Sequence, residues 1–103
     1  RDAVRQEASL SVIVFDVENF EAVREKIGHE KTTTLVQNLE ALIKQGLRRQ
    51  ADVALKDTRA ILVLLPGTRK DEALMVAGRI QQTFDDYLSK EKLKKEIKIA
   101  CKF

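Results

Sequence analysis

The chain has 103 residues, of which 44% are hydrophobic and 34% charged, a balance that predicts one folded domain with a modest core and excludes a disordered segment. The net charge of +3 is small, and acidic residues alternate with basic ones, which argues against a nucleic-acid-binding surface but allows a phosphate-bearing small ligand. The single cysteine excludes an internal disulfide, and no apolar run is long enough to span a membrane. We therefore expect a cytoplasmic protein with no membrane contact in this segment.

The first half of the chain predicts one strand followed by two helices. Residues 10–15 (LSVIVF) form a short, β-branched apolar run, typical of a central strand, and this run ends at Asp16. Apolar residues at helical spacing follow as far as Gly28, a residue type that commonly terminates helices. A second stripe at the same spacing, from Leu35 to Leu47, predicts a longer helix.

The second half of the chain begins with a predicted hairpin. Residues 51–66 contain two apolar strands joined by the polar turn KDTR, which is not rich in glycine. Pro66 and Gly67 then break the chain, and Thr68 with Asp71 three residues later predicts the capping box of a third helix.

A charged connection and a last strand complete the predicted order. Residues 90–95 (KEKLKK) are typical of a solvated loop, and Ile97, Ile99 and Cys101 alternate as in a strand. The order β-α-α-β-β-α-β predicts an α/β fold, an α+β sandwich of the ferredoxin-like or nucleotide-cyclase palm type, with a central β-hairpin.

Three segments, in this order, resemble the GGDEF domain of diguanylate cyclases. They are residues 10–20 with 27–29, residues 49–52, and residues 62–66 with 71–74. The resemblance implies one GGDEF-like domain over residues 1–103 and a role in bacterial cyclic di-GMP signalling, in which two GTP molecules are condensed to cyclic di-GMP. Because the family's opening signature is missing, we expect a truncated piece of a longer multidomain protein with sensory or effector domains beside it.

The hairpin turn departs from the pattern of that family. Residues 57–61 (DTRAI) stand where the family has Gly-Gly-Asp/Glu-Glu-Phe, so that Arg59 takes the place of a metal-binding carboxylate and both glycines are lost. Asp16 matches the family's first metal-binding aspartate, and Glu18 an acidic residue two positions later. An alternative interpretation is that Asp16 and Glu18 stabilise the N-terminus of the first helix, where acidic residues interact favourably with the positive end of the helix dipole.

The positions that read guanine in the family are also changed. Arg24 stands in place of an asparagine, Thr33 in place of an aspartate, and Glu21 in place of a phosphate-contacting lysine. From these departures we predict a degenerate domain without diguanylate cyclase activity, with no catalytic residues, no metal site and no cofactor.

A second family site is better preserved. The inhibitory site of active cyclases uses an Arg-x-x-Asp motif and a later arginine to bind cyclic di-GMP, and the resemblance places these on Arg49, Asp52 and Arg79. The alternative interpretation of the three residues is surface salt bridging.

Three functional hypotheses follow. The first is a regulatory domain that binds cyclic di-GMP through Arg49, Asp52 and Arg79. The second is a dimerisation or protein-interaction module without nucleotide, including a homodimer. The third and weakest is residual enzymatic use of Asp16 and Glu18 on another nucleotide. His29 is predicted to be a loop residue and Cys101 a core residue.

Overall fold

The structure, a computed structural model, describes residues 9–103, which form a four-stranded antiparallel sheet and three helices. In chain order the elements are β1 (Leu10–Val17), α1 (Phe20–Ile27), α2 (His29–Gly46), β2 (Val53–Lys56), β3 (Ala60–Pro66), α3 (Lys70–Lys90) and β4 (Ile99–Lys102). The predicted element order and fold class are confirmed. Over residues 9–103, no helix combines the length and the apolar character that a membrane crossing requires.

The two central strands of the sheet are β3 and β1, in the spatial order β2-β3-β1-β4. β1 pairs with β3 from Leu10 opposite Pro66 to Asp16 opposite Ala60. Because this register places the end of β1 beside the start of β3, Asp16 lies next to the turn between β2 and β3. The end of β1 is thus the point where the first strand and the hairpin meet.

The hydrophobic core lies on one face of the sheet, where alternate residues of β1 and β3 meet the helices. The buried strand residues on this face are Ile13, Phe15, Val17, Ala54, Ile61, Val63 and Leu65. Phe15 packs edge-on against Phe84 of α3, with ring centroids 5.1 Å apart and an interplanar angle of 77°. The apolar stripes predicted for the three helices pack against this face and complete the core.

The opposite face of the sheet is also apolar, but none of its residues is fully buried. Leu10, Val53 and Leu55 are 59%, 40% and 51% exposed. The remaining apolar side chains of this face are half-buried, namely Val12, Val14, Leu62 and Leu64. A contiguous apolar patch of this kind is typical of a contact surface.

Gly28 separates α1 from α2, as the sequence predicts. Its φ of +94° is a conformation that residues with a side chain rarely adopt. Its N–H donates to the carbonyl of Arg24, and its own carbonyl accepts from the N–H and the hydroxyl of Thr32. The prediction that His29 lies in a loop is wrong, because α2 begins at His29 directly after the glycine.

The start of α3 also differs from the prediction. Its N-cap is Arg69, whose N–H donates to Glu72 Oε1 over 3.3 Å, so Thr68 and Asp71 do not form the predicted capping box. The N–H of Thr68 donates to the carbonyl of Leu65, which makes Thr68 part of the turn around Gly67. The Thr68 hydroxyl is therefore free to interact with another segment.

Cys101 lies half-buried on β4, partly packed against the core, and burial raises the pKa of its thiol. A raised pKa lowers the thiolate fraction at a given pH, so we predict that Cys101 reacts several-fold more slowly with Ellman's reagent at pH 8 than the same thiol in the chain unfolded in guanidinium. The rate for the folded protein should still be rising at a pH where that of the unfolded chain has levelled off. Equal rates and equal pH profiles for the two states would contradict the prediction.

Candidate functional site

The carboxylate of Asp16 is paired with Arg59 of the hairpin turn. Arg59 Nε donates to Asp16 Oδ1 over 2.9 Å and Arg59 Nη2 to Oδ2 over 3.3 Å. The hydrogen bond and the charge of Asp16 raise the pKa of Arg59. Lys102 Nζ lies 3.9 Å from Asp16 Oδ2, so a second cation faces the same carboxylate. Asp16 therefore interacts with the hairpin turn. These contacts do not support the alternative interpretation, in which Asp16 stabilises the N-terminus of α1.

The turn itself is a compact hairpin. The N–H of Asp57 donates to the carbonyl of Ala60 over 2.8 Å, and Thr58 and Arg59 form the two-residue loop between them. Neither loop residue has a positive φ. The N–H of Val17 donates to the carbonyl of Arg59 over 2.9 Å, which attaches the loop to the end of β1.

The family implied by the resemblance uses divalent metal at this edge, and the described side chains do not form a ready-made site for it. Both oxygens of Asp16 are engaged by Arg59. Glu18 is exposed beyond the end of β1. Within residues 9–103, no group of three or more His, Cys, Asp or Glu side chains is arranged to hold a metal ion.

The residues at the family's guanine-reading positions lie on α1 and α2. Arg24 Nη2 donates to Glu21 Oε1 over 2.7 Å, an exposed pair within α1. Thr33 is half-buried on α2. The Arg24–Glu21 pair is a local helix contact, of the kind that contributes little to stability.

Arg49 and Asp52 line one surface pocket at the base of the hairpin. The pocket has a volume of about 430 Å³ and is also lined by Lys44 and Leu47 of the preceding segment and by the residues of β2 from Val53 to Leu55. The N–H of Asp52 donates to the carbonyl of Arg49 over 3.1 Å, a short turn that keeps the two residues together. The structure thus brings two of the three predicted ligand-binding residues into one pocket.

One oxygen of Asp52 has no hydrogen-bond partner. Oδ1 is buried, and it accepts no hydrogen bond from the described residues. A buried acceptor without a donor costs about 1–3 kcal/mol, so an unsatisfied oxygen of this kind is a candidate for a functional role. Because Oδ1 itself is shielded from solvent, a molecule in the pocket reaches it only after the Asp52 side chain rotates.

Arg79 lies beside this pocket without lining it. Its Nη2 donates to the carbonyl of Gly46 at the end of α2 over 3.2 Å. Leu47, the next residue along the chain, does line the pocket. Among residues 9–103, neither Arg49 nor Arg79 forms an ion pair with a carboxylate, so the salt-bridge interpretation of the motif has no support there.

Two residues of the pocket's surroundings were missed by the sequence analysis. Arg49 Nη1 donates to Thr68 Oγ1 over 2.7 Å, and Arg49 Nη2 lies against the backbone of Gly67. The only signal in the sequence was the Gly-Thr pair after Pro66, and it was assigned to a helix cap.

A family model described as diguanylate cyclase, GGDEF domain, matches residues 1–102. The chain belongs to the GGDEF family. Two solved structures share the fold of this GGDEF domain. The active GGEEF domain of a diguanylate cyclase from Vibrio cholerae has a TM-score of 0.67 and 23% identity, over 80% of this chain and 51% of that one. An EAL/GGDEF domain protein from M. capsulatus has a TM-score of 0.61 and 20% identity, over 82% of this chain and 52% of that one. The chain thus spans about half the length of both.

These comparisons correct one prediction from the sequence. The prediction that diguanylate cyclase activity is lost is wrong, because the chain matches the family model described as diguanylate cyclase, GGDEF domain, over residues 1–102. The prediction rested on the hairpin turn and on the changes at Glu21, Arg24 and Thr33. Asp16 still lies beside the hairpin turn, and its partner Arg59 has a side chain that is 46% exposed, where water screens the ion pair and side-chain motion can break it.

Proposed function

We propose that this GGDEF domain acts in cyclic di-GMP signalling by binding cyclic di-GMP at Arg49 and Asp52, with Arg79 as an additional contact. The observation that carries the proposal is the pocket that Arg49 and Asp52 line together, with one oxygen of Asp52, Oδ1, left without a hydrogen-bond partner. A ligand with N–H donors would complete the hydrogen bonding of this carboxylate.

The chemistry of the two side chains suits a guanine nucleotide. The Watson–Crick edge of guanine carries two N–H donor groups, which a carboxylate such as Asp52 can accept. Its opposite edge carries the N7 and O6 acceptors, which an arginine fork contacts in two-pronged fashion. The same fork also binds phosphate oxygens, and these charge-assisted hydrogen bonds are stronger than neutral ones.

The remaining pocket residues favour the same class of ligand. Lys44 adds a second cation to the pocket, which supports the binding of an anionic phosphate. Leu47, Val53 and Leu55 supply an apolar wall against which a base can pack. A volume of about 430 Å³ is within the usual range for small-molecule sites.

The pocket is separate from the Asp16–Arg59 pair. Asp52 precedes the four-residue strand β2, and Arg59 lies in the turn that follows it. At about 3.3 Å per residue, β2 alone spans roughly 13 Å. Binding at the base of the hairpin therefore requires no displacement of Arg59 from Asp16.

Titration calorimetry tests the proposal directly. We expect cyclic di-GMP to bind with a Kd of about 100 μM or tighter. Cyclic di-AMP is the control ligand, because adenine lacks the paired N–H donors that Asp52 would accept. A Kd for cyclic di-GMP weaker than about 1 mM, or equal affinity for the two dinucleotides, would contradict the proposal.

A second candidate function, self-association, is favoured by the apolar outer face of the sheet. In a two-fold dimer, the apolar outer faces of two copies of the chain would pack against each other. We predict that the protein elutes at twice the monomer mass in size-exclusion chromatography with light scattering at high micromolar concentration, and that Leu55→Lys shifts it to the monomer. Leu74→Lys is the matched control, since Leu74 is 46% exposed but lies on α3. A monomeric wild-type protein at all concentrations would exclude this candidate.

A further inference from the structure

We propose that Thr68 is a positioning residue that holds the Arg49 guanidinium in the orientation needed to bind a guanine nucleotide. The inference rests on the proposed function, which assigns Arg49 to ligand binding, and adds a residue from a different loop. Thr68 lies 19 positions from Arg49 in the sequence, in the connection between β3 and α3.

The hydroxyl of Thr68 is a fixed acceptor. It accepts from Arg49 Nη1 over 2.7 Å, and the Thr68 residue is only 5% exposed. The backbone of Thr68 is held on both sides, because its carbonyl accepts from Ser11 Oγ over 2.6 Å and its N–H donates to the carbonyl of Leu65. An exposed arginine is thus joined to a buried, doubly anchored residue.

Gly67 provides the space that this contact needs. A side chain at position 67 would place its Cβ only 3.1 Å from Arg49 Nη2. The φ of Gly67 is +72°, so a residue with a side chain would be strained there as well. The guanidinium therefore lies close against bare backbone, with one nitrogen held by Thr68.

The held guanidinium keeps most of its binding capacity. An arginine side chain has five N–H donors in a rigid plane, and the contact with Thr68 uses one of them. The turn from Arg49 to Asp52 fixes the backbone of the same residue. Since a flexible side chain loses rotational freedom on binding, holding Arg49 in advance increases ligand affinity.

The opposite role for Thr68 makes a different prediction. If the hydroxyl instead held Arg49 away from the ligand, removing it would release the guanidinium and tighten binding. The direction of the change on removal of the hydroxyl therefore distinguishes positioning from sequestration.

The test is calorimetry with cyclic di-GMP on three variants. Thr68→Val removes the acceptor but keeps the side-chain shape, and we expect about fivefold to tenfold weaker binding. Thr68→Ser keeps the hydroxyl and should restore affinity to within about twofold of the wild-type protein. Thr34→Val, an exposed change on α2, is the matched control and should bind like the wild-type protein. Unchanged or tighter binding by Thr68→Val would overturn the proposal.

A second measurement needs no ligand and separates the two proposals. The Arg49 Nε–Hε signal, assigned by its loss in Arg49→Lys, should show the ¹H–¹⁵N nuclear Overhauser effect of a restrained side chain. We expect this restraint to disappear in Thr68→Val and to return in Thr68→Ser. If the wild-type protein binds no cyclic di-GMP, the proposed function fails and the NMR result alone decides the positioning role. An Arg49 signal unchanged by Thr68→Val would overturn it.

Discussion

Arg49→Ala is expected to weaken cyclic di-GMP binding by about 2 kcal/mol, or roughly 30-fold in Kd. The loss follows from removing charge-assisted hydrogen bonds while leaving Asp52 and Lys44 in the pocket. Calorimetry on the variant, run beside the wild-type protein at the same ionic strength, measures the change. Equal ionic strength is necessary because salt screens the attraction between an arginine and a phosphate.

Arg48→Ala is the matched control for this experiment. Arg48 is exposed and adjacent in sequence, carries the same charge, and does not line the pocket. Removing it lowers the net charge equally but should change the Kd by less than about threefold. Equal losses in the two variants would indicate a general electrostatic attraction and would contradict a specific role for Arg49.

Phe84→Ala is expected to lower the free energy of unfolding by about 3–5 kcal/mol. Phe84 is 2% exposed and packs edge-on against Phe15 of the central strand β1, so its truncation leaves a cavity between the helix and the sheet. Because a domain of this size has a total stability of about 5–15 kcal/mol, the variant should be marginally folded. Urea unfolding followed by circular dichroism, with the slope compared between variants, measures the loss.

Leu74→Ala is the control for the stability experiment. Leu74 lies on the same helix as Phe84 but is 46% exposed, and its truncation should cost less than about 1 kcal/mol. Both variants place alanine in α3, so the two changes in helix propensity differ by only about a few tenths of a kcal/mol, far less than the expected loss for Phe84→Ala. A loss below about 1.5 kcal/mol for Phe84→Ala would mean that the core does not depend on the contact between α3 and β1.

The N-cap of α3 shows a limit of local sequence patterns, because the predicted capping box of Thr68 and Asp71 does not form. A threonine followed three residues later by an acidic residue is a valid capping signal, but Glu72 was equally available one residue further on. The turn around Gly67 uses the N–H of Thr68, so the helix begins after Arg69. Sequence-based prediction located this helix correctly and misplaced its cap by one residue.

The turn between β2 and β3 illustrates a different limit. The replacement of two glycines and a carboxylate is visible in the sequence, which predicted a hairpin here, and the structure has that hairpin with Thr58 and Arg59 as its loop. The functional conclusion drawn from it, together with the changes at Glu21, Arg24 and Thr33, was wrong, because the chain matches the diguanylate cyclase family model over residues 1–102. The Asp16–Arg59 contact was not part of that reasoning.

The sequence by itself determined the order of the strands and helices and the buried faces of the helices, because helical periodicity is a property of neighbouring residues. It did not determine which face of β1 and β3 is buried, because both faces of these strands are apolar. It also located Arg49 and Asp52 three residues apart, where a single turn joins them. Only the tertiary structure decided the partners of the polar side chains. Arg59 contacts Asp16 although the two are 43 residues apart, and Arg49 contacts Thr68 although they are 19 apart. Strand register and loop packing bring these residues together, and no local sequence pattern predicts either contact.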